Sequence, residues 1–440
     1  MSIPADVKKT VRSAVADAQI AAPAQSRLSP QLIIAAGCLV AIITFGPRSS
    51  IGQFQLPILG DFKQLDSATF SFAMALQYLF WGIGQPFAGA VADKYGTGRV
   101  MALGCVVYCL ALISMAFSSH PGTFMLTQGV IFGLALSCAS FNMIIGAFQK
   151  LLPPEKRPLA FGVGTAAGSF GQFLFSPLAG GMIQSMGWQN TAFLFAAIVL
   201  TAIPLAMALN AGQSGKTDQP GKHPGTAQGQ PVPAVAEQSF REALGEAFRH
   251  RSYILLVLGF FTCGFQLAFV TVHFQRYVVE SGLRPEVGYW AFALVGICNI
   301  IGSMGSGWLS GFLPKRYILS FIYFSRSMVT LVFISMPITE YSTFAFGILT
   351  GLLWLSTVPP TSGLIGVMFG SRYFSTLYGF AFLNHQFGGF LGLVLAGYLR
   401  DATGSYMIVW WLSIGFGIFS ALVNMPIVEK PVKSAQPFPA

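Results

Sequence analysis

Arg48 and Arg326 each fall well inside a long apolar run, whereas all fifteen acidic residues fall at loops or run ends. A guanidinium left alone in hydrocarbon costs several kcal/mol, so each of the two must face a cavity, a partner or a ligand. The chain offers no carboxylate at the same depth. A carboxylate arriving from outside would supply the missing charge, and the planar fork of arginine suits it as a bidentate pair. Uncharged polar groups share that depth: Gln53, Gln77, Asn142, Gln266, Asn299 and the triplet Asn384-His385-Gln386. His385 can hold an anion when protonated or carry a proton when neutral, so it suits exchange or symport. Its other reading is a neutral ring bonded to Asn299 or to a hydroxyl of the tenth run. Gln53, Gln77, Asn142 and Gln266 equally suit hydrogen bonding between helices, and His273 is shallow enough to face an outer mouth only.

Other chemistries lack their residues. No nucleophile elbow, phosphate-binding glycine loop, paired-cysteine spacing or histidine-carboxylate metal motif occurs, so no enzyme activity, cofactor or metal is expected. The six cysteines all lie inside apolar runs and read as small buried side chains.

The elements that must position these residues are membrane spans. Of 440 residues 54% are apolar and only 9% charged, where a soluble chain would carry about a quarter charged. Twelve apolar runs approach or exceed the roughly 20 residues that cross about 30 Å of hydrocarbon. The expected organisation is a tail over 1–30, six spans over 31–210, a linker over 211–251, six spans over 252–427 and a tail over 428–440. The linker is rich in Gly, Pro, Gln, Ser and Lys, and is expected to be disordered over most of its length. From Glu237 onward Phe240, Leu244 and Phe248 recur at helical spacing, which predicts a short amphipathic surface helix. Gly46-Pro47-Arg48 predicts a kink in the first span, and Pro359-Pro360 a break in the tenth whose freed carbonyls need partners.

A net charge of +10 would suggest nucleic acid in a soluble chain, but here its placement gives orientation. With the N-terminus inside, nineteen of the twenty-five basic residues fall on the inner side. Both termini are therefore expected in the cytoplasm of a cell (inner) membrane, with anionic lipid rather than nucleic acid against the inner bases.

Between the second and third runs lies Gly89-Ala-Val-Ala-Asp93-Lys94-Tyr-Gly96-Thr-Gly98-Arg99, a charged tight turn that makes its flanking spans antiparallel neighbours. Gly89, Asp93, Lys94, Gly96 and Arg99 resemble the helix 2–3 loop pattern of major facilitator superfamily transporters, with Gly98 where that pattern has a base. Residues 307–316 repeat the first glycine and the terminal bases, with Gly311 in place of the aspartate. The segment Arg157-Pro-Leu-Ala160-Phe-Gly162 through Ala167-Gly168-Ser169-Phe-Gly171 resembles the monocarboxylate transporter branch and its bacterial relatives, which include oxalate-formate exchangers. The end of the eleventh run, from Gly397 through Asp401 and Gly404 to Tyr406, resembles the closing of the same bacterial relatives. Ser176-Pro177-Leu-Ala-Gly180-Gly181 is similar to an antiporter stretch. Met125 stands where many members carry a helix 4 arginine.

The resemblance implies an all-α membrane protein of twelve helices in two six-helix bundles that rock about a central site. It implies that helices 1, 4, 7 and 10 line the path, which makes Arg48 the expected substrate ligand and Arg326, on a supporting helix, a structural group. It implies a gating role for the loop, with Asp93 accepting from the N-terminal amides of a helix across the bundle and Lys94 and Arg99 holding the inner side. The expected function is transport of a small organic anion, a monocarboxylate or short dicarboxylate, with a proton or a counter-anion as coupling partner. Efflux of an amphipathic drug is the alternative, favoured by 41 phenylalanines and the Pro177 stretch. A membrane sensor without turnover would need a folded signalling domain, for which the tails and linker are short.

Overall fold

The computed structural model describes residues 28–118, 120–153, 156–210, 240–370 and 374–432, and among them every regular element is helical. Ten stretches are long and apolar enough to cross a membrane. One of these, Ala160–Ala208, holds two helices broken at Gly187. A further helix, Ser67–Tyr95, follows the first stretch, so twelve helices result. In chain order they are α1 (Pro30–Asp61), α2 (Ser67–Tyr95), α3 (Thr97–Ala116), α4 (Pro121–Phe148), α5 (157–186), α6 (188–208), α7 (Arg251–Glu280), α8 (Pro285–Leu309), α9 (Lys315–Ser335), α10 (Glu340–Phe369), α11 (Phe374–Thr403) and α12 (Met407–Asn424).

Two apolar cores form, one from α1–α6 and one from α7–α12, with Ala268, Val272 and Leu393 crossing into the first. Large apolar side chains such as Leu103 and Phe321 stay 62% and 68% exposed on the flanks, as a lipid-facing surface requires. The linker helix runs from Phe240 to Arg249, where the periodicity placed it. Both tails before residue 28 and after 432, and the linker over 211–239, lie outside the described residues.

Where the chain turns, glycine carries the reversal. Among the described residues all those with positive φ are glycines, at 96, 187, 282, 370 and 404, and each sits at a helix end or break. The 89–99 loop is thereby corrected. Its residues are nearly all helical, α2 running on to Tyr95 and α3 starting at Thr97, so that Gly96 alone, at φ 99°, makes the turn. Gly98 departs from the family pattern for a packing reason: a Cβ there would run into the Ala206 carbonyl and lie 2.7 Å from the Asn210 Cβ.

The kink in α1 also lies later than the sequence predicts. Helix continues through Pro47 to Ser49, and the break is a 3-10 turn over Ile51–Phe54 before helix resumes at Gln55. Ser49 and Ser50 both donate their hydroxyls back to Gly46 O, at 2.7 and 3.2 Å, which bends the strand of carbonyls there. Gly52 then crosses α7 so closely that a Cβ would lie 2.5 Å from Thr271 O and 2.7 Å from Val272 O.

Contacts between the two halves are confined in depth. On α5 and α8 they run from Gln184–Glu286 at 2.7 Å, through Ser176–Tyr289 O at 2.7 Å, to Asn299–Ser169 at 2.8 Å. On α2 and α11 they run from the Ala68 amide on Asp401, at 2.6 Å, to Trp81 against Phe382. Nearer the face that carries the termini, Gly89, Gly162, Gly305 and Gly379 meet nothing within 4 Å. The halves are closed on the face that carries Ser67, Glu280 and Asp401.

Candidate functional site

Arg48 sits in the last turn of the first piece of α1 and is only 6% exposed. Its guanidinium carbon lies 4.8 Å from the centre of the Tyr78 ring and 4.5 Å from that of Trp81, both on α2. These cation–π contacts are worth about 0.5–2 kcal/mol each. They leave the edge of the guanidinium, where its donors point, without acceptors: no hydrogen bond from the Arg48 side chain forms among the described residues, and Nε is enclosed and unpaired. Charged donors without acceptors at this depth cost several kcal/mol, more than the rings return.

The rings continue from Arg48 into the second half. Trp81 stands edge-on to Phe382 of α11 at 5.5 Å, and Phe382 stacks on the His385 ring at 5.8 Å with an interplanar angle of 6°. His385 meets Phe260 of α7 at 4.8 Å and pairs through Nδ1 with Gln386 Oε1 at 3.0 Å. On α7, Cys263 Sγ lies 3.3 Å from the Thr357 hydroxyl. His385 does not bond Asn299. An aromatic wall thus joins a free cation on one half to a histidine on the other.

Tyr78, Trp81 and Phe382 were not candidates on sequence. Aromatic residues are too frequent in the chain to mark a site, and their position opposite Arg48 depends on how α1, α2 and α11 cross.

The remaining polar candidates are placed elsewhere. Gln77 is buried and donates to Gln128 O of α4 at 3.1 Å. Gln53 donates to Ser176 of α5 at 2.9 Å and keeps an unpaired Oε1 beside a small void lined by Ser49, Gly52 and Thr271. Asn142 is half-buried near the start of the second segment of α4, after a break at Ser140. Asn299 spends both ends of its amide, donating to Ser169 and accepting from the Leu355 amide at 2.8 Å.

Arg326 has the partners that Arg48 lacks. Its Nη1 donates to Gln266 Oε1 at 3.0 Å, and its Nη2 to the carbonyls of Leu353 and Trp354 at 2.5 and 2.8 Å. Those carbonyls are the ones freed where α10 breaks between Leu353 and Val358.

At the closed face His273 is not shallow. It is 0% exposed and lies between the halves, with Nδ1 3.0 Å from the Tyr406 hydroxyl and 3.5 Å from Gln55 Nε2, and Nε2 3.3 Å from Ser71 Oγ. Around it Arg276 donates to Ser67 Oγ and to Glu280 at 2.6 and 2.7 Å, and Arg400 shares Glu280 at 2.9 Å. Asp66 caps α2 by accepting from the Thr69 amide at 2.7 Å, and its hydrogen bonds with Thr69 hold the carboxyl below its ordinary range.

The closed face also carries a spacing that the sequence does not advertise. Gly397-x-x-x-Asp401-x-x-Gly404 matches Gly89-x-x-x-Asp93-x-x-Gly96, and Gly404 turns the chain at φ 73° as Gly96 does at 99°. Asp401 accepts from the amide of Ala68 at the N-terminus of α2, where a negative charge complements the helix dipole. Gln184, three residues before Gly187, instead donates its side-chain amide to the Glu286 carboxylate at the start of α8, at 2.7 Å. The side chain of Asp93 lies outside the described residues, and Lys94 is exposed with its ammonium 5.2 Å from the Tyr95 ring.

With this geometry in hand, the relatives agree. The sequence pattern of the Major Facilitator Superfamily matches residues 37–393. The chain belongs to that superfamily. It is 27% identical over 389 residues to an uncharacterized MFS-type transporter, YcxA, of Bacillus subtilis (strain 168), covering 87% of this chain and 91% of that protein. It is 23% identical to monocarboxylate transporter 6 of Mus musculus, over 89% and 85% of the two chains. It is 21% identical to monocarboxylate transporter 13 of Rattus norvegicus, over 85% and 83%. Among solved structures a D-xylose-proton symporter superposes with a TM-score of 0.71 at 14% identity, over 90% of this chain and 97% of that one. A bacterial homolog of the human lysosomal transporter Spinster, in an inward-facing and occupied conformation, gives 0.68 at 13% identity, over 92% and 98%. The protein is a multi-pass membrane transporter of the major facilitator fold.

Proposed function

We propose that the transporter carries a small organic anion, a monocarboxylate or short dicarboxylate, by alternating access, with Arg48 as the ligand of the carboxylate. The observation that carries this reading is the unpaired guanidinium: buried beside the rings of Tyr78 and Trp81 and without a hydrogen-bond acceptor. A carboxylate entering from the side opposite the closed face would meet two parallel N–H donors and neutralise the charge. The monocarboxylate transporters among the relatives support the same cargo class. His385, at the far end of the aromatic wall, offers a second contact or a proton. Gln53, with its free Oε1, and Asn142 complete the polar groups available to cargo.

The excess of bases on the side of Lys94, Arg99 and Lys315 supports a cytoplasmic position for that side, and with it an inward-facing reading of the closed outer face. In the alternate state Asp93 would reach the N-terminal amides of α11, as Asp401 reaches those of α2 here. Coupling is to a proton or to a counter-anion.

Uptake of a radiolabelled carboxylate into vesicles tests the reading. Arg48→Ala is expected to abolish uptake without reducing expression or thermal stability, and Arg48→Lys to keep a fraction of it. Uptake retained in Arg48→Ala would remove Arg48 from the site. Resistance to amphipathic drugs that changes with Trp81 or Phe382 substitutions, but not with Arg48→Ala, would instead mark a drug-efflux antiporter.

A further inference from the structure

We propose that His273 is the residue through which a proton opens the closed face. The inference goes beyond the cargo reading and does not depend on what is carried.

The hydrogen bonds fix the state of the ring. Ser71 donates its one hydroxyl hydrogen to Ser67 O at 2.6 Å, so toward His273 it can only accept. Nε2 therefore carries the ring hydrogen, and Nδ1 is the bare nitrogen that accepts from Tyr406 and from Gln55 Nε2. In this neutral form the imidazole ties α7 and α12 of one half to α1 and α2 of the other. Alternating access must break these ties.

A second proton would attach to the Nδ1 lone pair, taken from water of the compartment on that side, with no other bond changed. It would turn an acceptor that faces two donors into a third donor. The Tyr406 hydroxyl can turn to accept, and so can the Gln55 amide, whose Oε1 has no partner, so the clash of donors is relieved but not the burial of the charge. The surroundings offer that charge little. On its own helix the near groups are Tyr277, Arg276 and Glu280, and Glu280 already serves Arg276 and Arg400. From α11, Asp401 is committed to the Ala68 amide, and from the loop before α2, Asp66 is committed to Thr69. From α12 comes only the Tyr406 hydroxyl, and from α1 only Gln55. Beyond these, Asp61 at the end of α1 is bonded to Trp188 at 2.8 Å. Among the described residues no carboxylate is left over for an imidazolium. Its charge is relieved when the halves part and water enters, so protonation favours opening of this face.

The test uses the full chain in lipid nanodiscs without cargo. Spin labels on Lys63→Cys and Ser281→Cys, exposed on opposite halves of this face, report the separation between pH 8 and pH 5. The parent is expected to gain the long-distance population as pH falls. A proton affinity one pH unit higher in the open state raises the open-to-closed ratio about tenfold. His273→Gln, neutral at every pH yet able to donate to Ser71 and accept from Tyr406, is expected to lose the response. His273→Asn should behave alike, and His120→Gln, on a loop, should keep it. A parent without a pH response, or a response that survives in His273→Gln or His273→Asn, would overturn the proposal. A second readout needs no change at 273: in ¹⁵N-histidine-labelled protein, the His273 ring should become protonated in step with the long-distance population. A ring that stays neutral as the face opens overturns the proposal equally. Because no substrate is present, failure here and failure of the carboxylate reading are separate results.

Discussion

Two arginines of similar depth and burial, 6% exposed at Arg48 and 2% at Arg326, have opposite surroundings. Arg326 is surrounded by acceptors made for it: a glutamine from α7 and two carbonyls that the break in α10 releases. Arg48 lies against two rings of α2, which attract the charge and accept no hydrogen bond from it. Both arginines keep an enclosed Nε without a partner, but Arg326 donates three hydrogen bonds through its Nη atoms, whereas Arg48 donates none among the described residues. Burial alone does not separate a structural cation from a ligand-binding one; what separates them is where the donors point and whether anything is there.

The strongest way to break this comparison is to delete each side chain and ask what fails. Arg326→Ala leaves two carbonyls and Gln266 Oε1 without a donor. At about 1–3 kcal/mol for each orphaned group, a destabilisation of about 3–5 kcal/mol is expected. It should appear in purified protein as a large fall in thermal midpoint and in folded yield. Arg48→Ala removes a charge that nothing in the protein neutralises, so its thermal midpoint should stay level or rise while uptake is lost. Equal losses of stability in the two variants would mean that Arg48 is also a structural group.

A smaller change sharpens the same contrast from the side of the rings. Trp81→Leu takes away the nearer of the two faces over Arg48, worth about 0.5–2 kcal/mol. The guanidinium becomes less well held but keeps its charge. The expected result is a rise in KM for carboxylate of about threefold to thirtyfold, with the thermal midpoint little changed. If KM is unmoved while stability falls, the ring serves packing against Phe382 and not the cation.

Much of this arrangement was legible in the sequence. Span number and the linker helix from Phe240 to Arg249 follow from hydropathy and periodicity. The break in α10 and its need for partners were readable from Trp354 to Pro360, although not that Arg326 would be the partner. What was missed depended on approach between distant segments. Tyr78 and Trp81 look like any other aromatic residues until α1 and α2 are packed together. His273 appeared shallow because it lies near the end of a run, but a position near the end of a span says nothing about whether two halves meet over it. The matching spacing at Gly397, Asp401 and Gly404 stood in the sequence all along, and acquired meaning only when Asp401 was found on the N-terminus of α2. The bend in α1 was placed at Pro47, whereas the helix absorbs the proline and gives way at Gly52, where α7 comes close.

The mildest test returns to Arg326 and removes only one of its acceptors. Gln266 accepts from Arg326 Nη1 at 3.0 Å and donates to Ser413 O of α12 at 2.8 Å. Gln266→Met, of similar length and without a donor, deletes both bonds. Hydrogen bonds between membrane helices average about 0.6 kcal/mol, so a loss near 1 kcal/mol is expected, well short of the Arg326→Ala cost. The two backbone carbonyls of α10 still hold Nη2 in place, and the break they come from does not depend on α7. Uptake should therefore be unchanged in KM, with only a small fall in thermal midpoint. A change in KM as large as that of Trp81→Leu would place Arg326 and its glutamine in contact with cargo and end the division of labour between the two arginines.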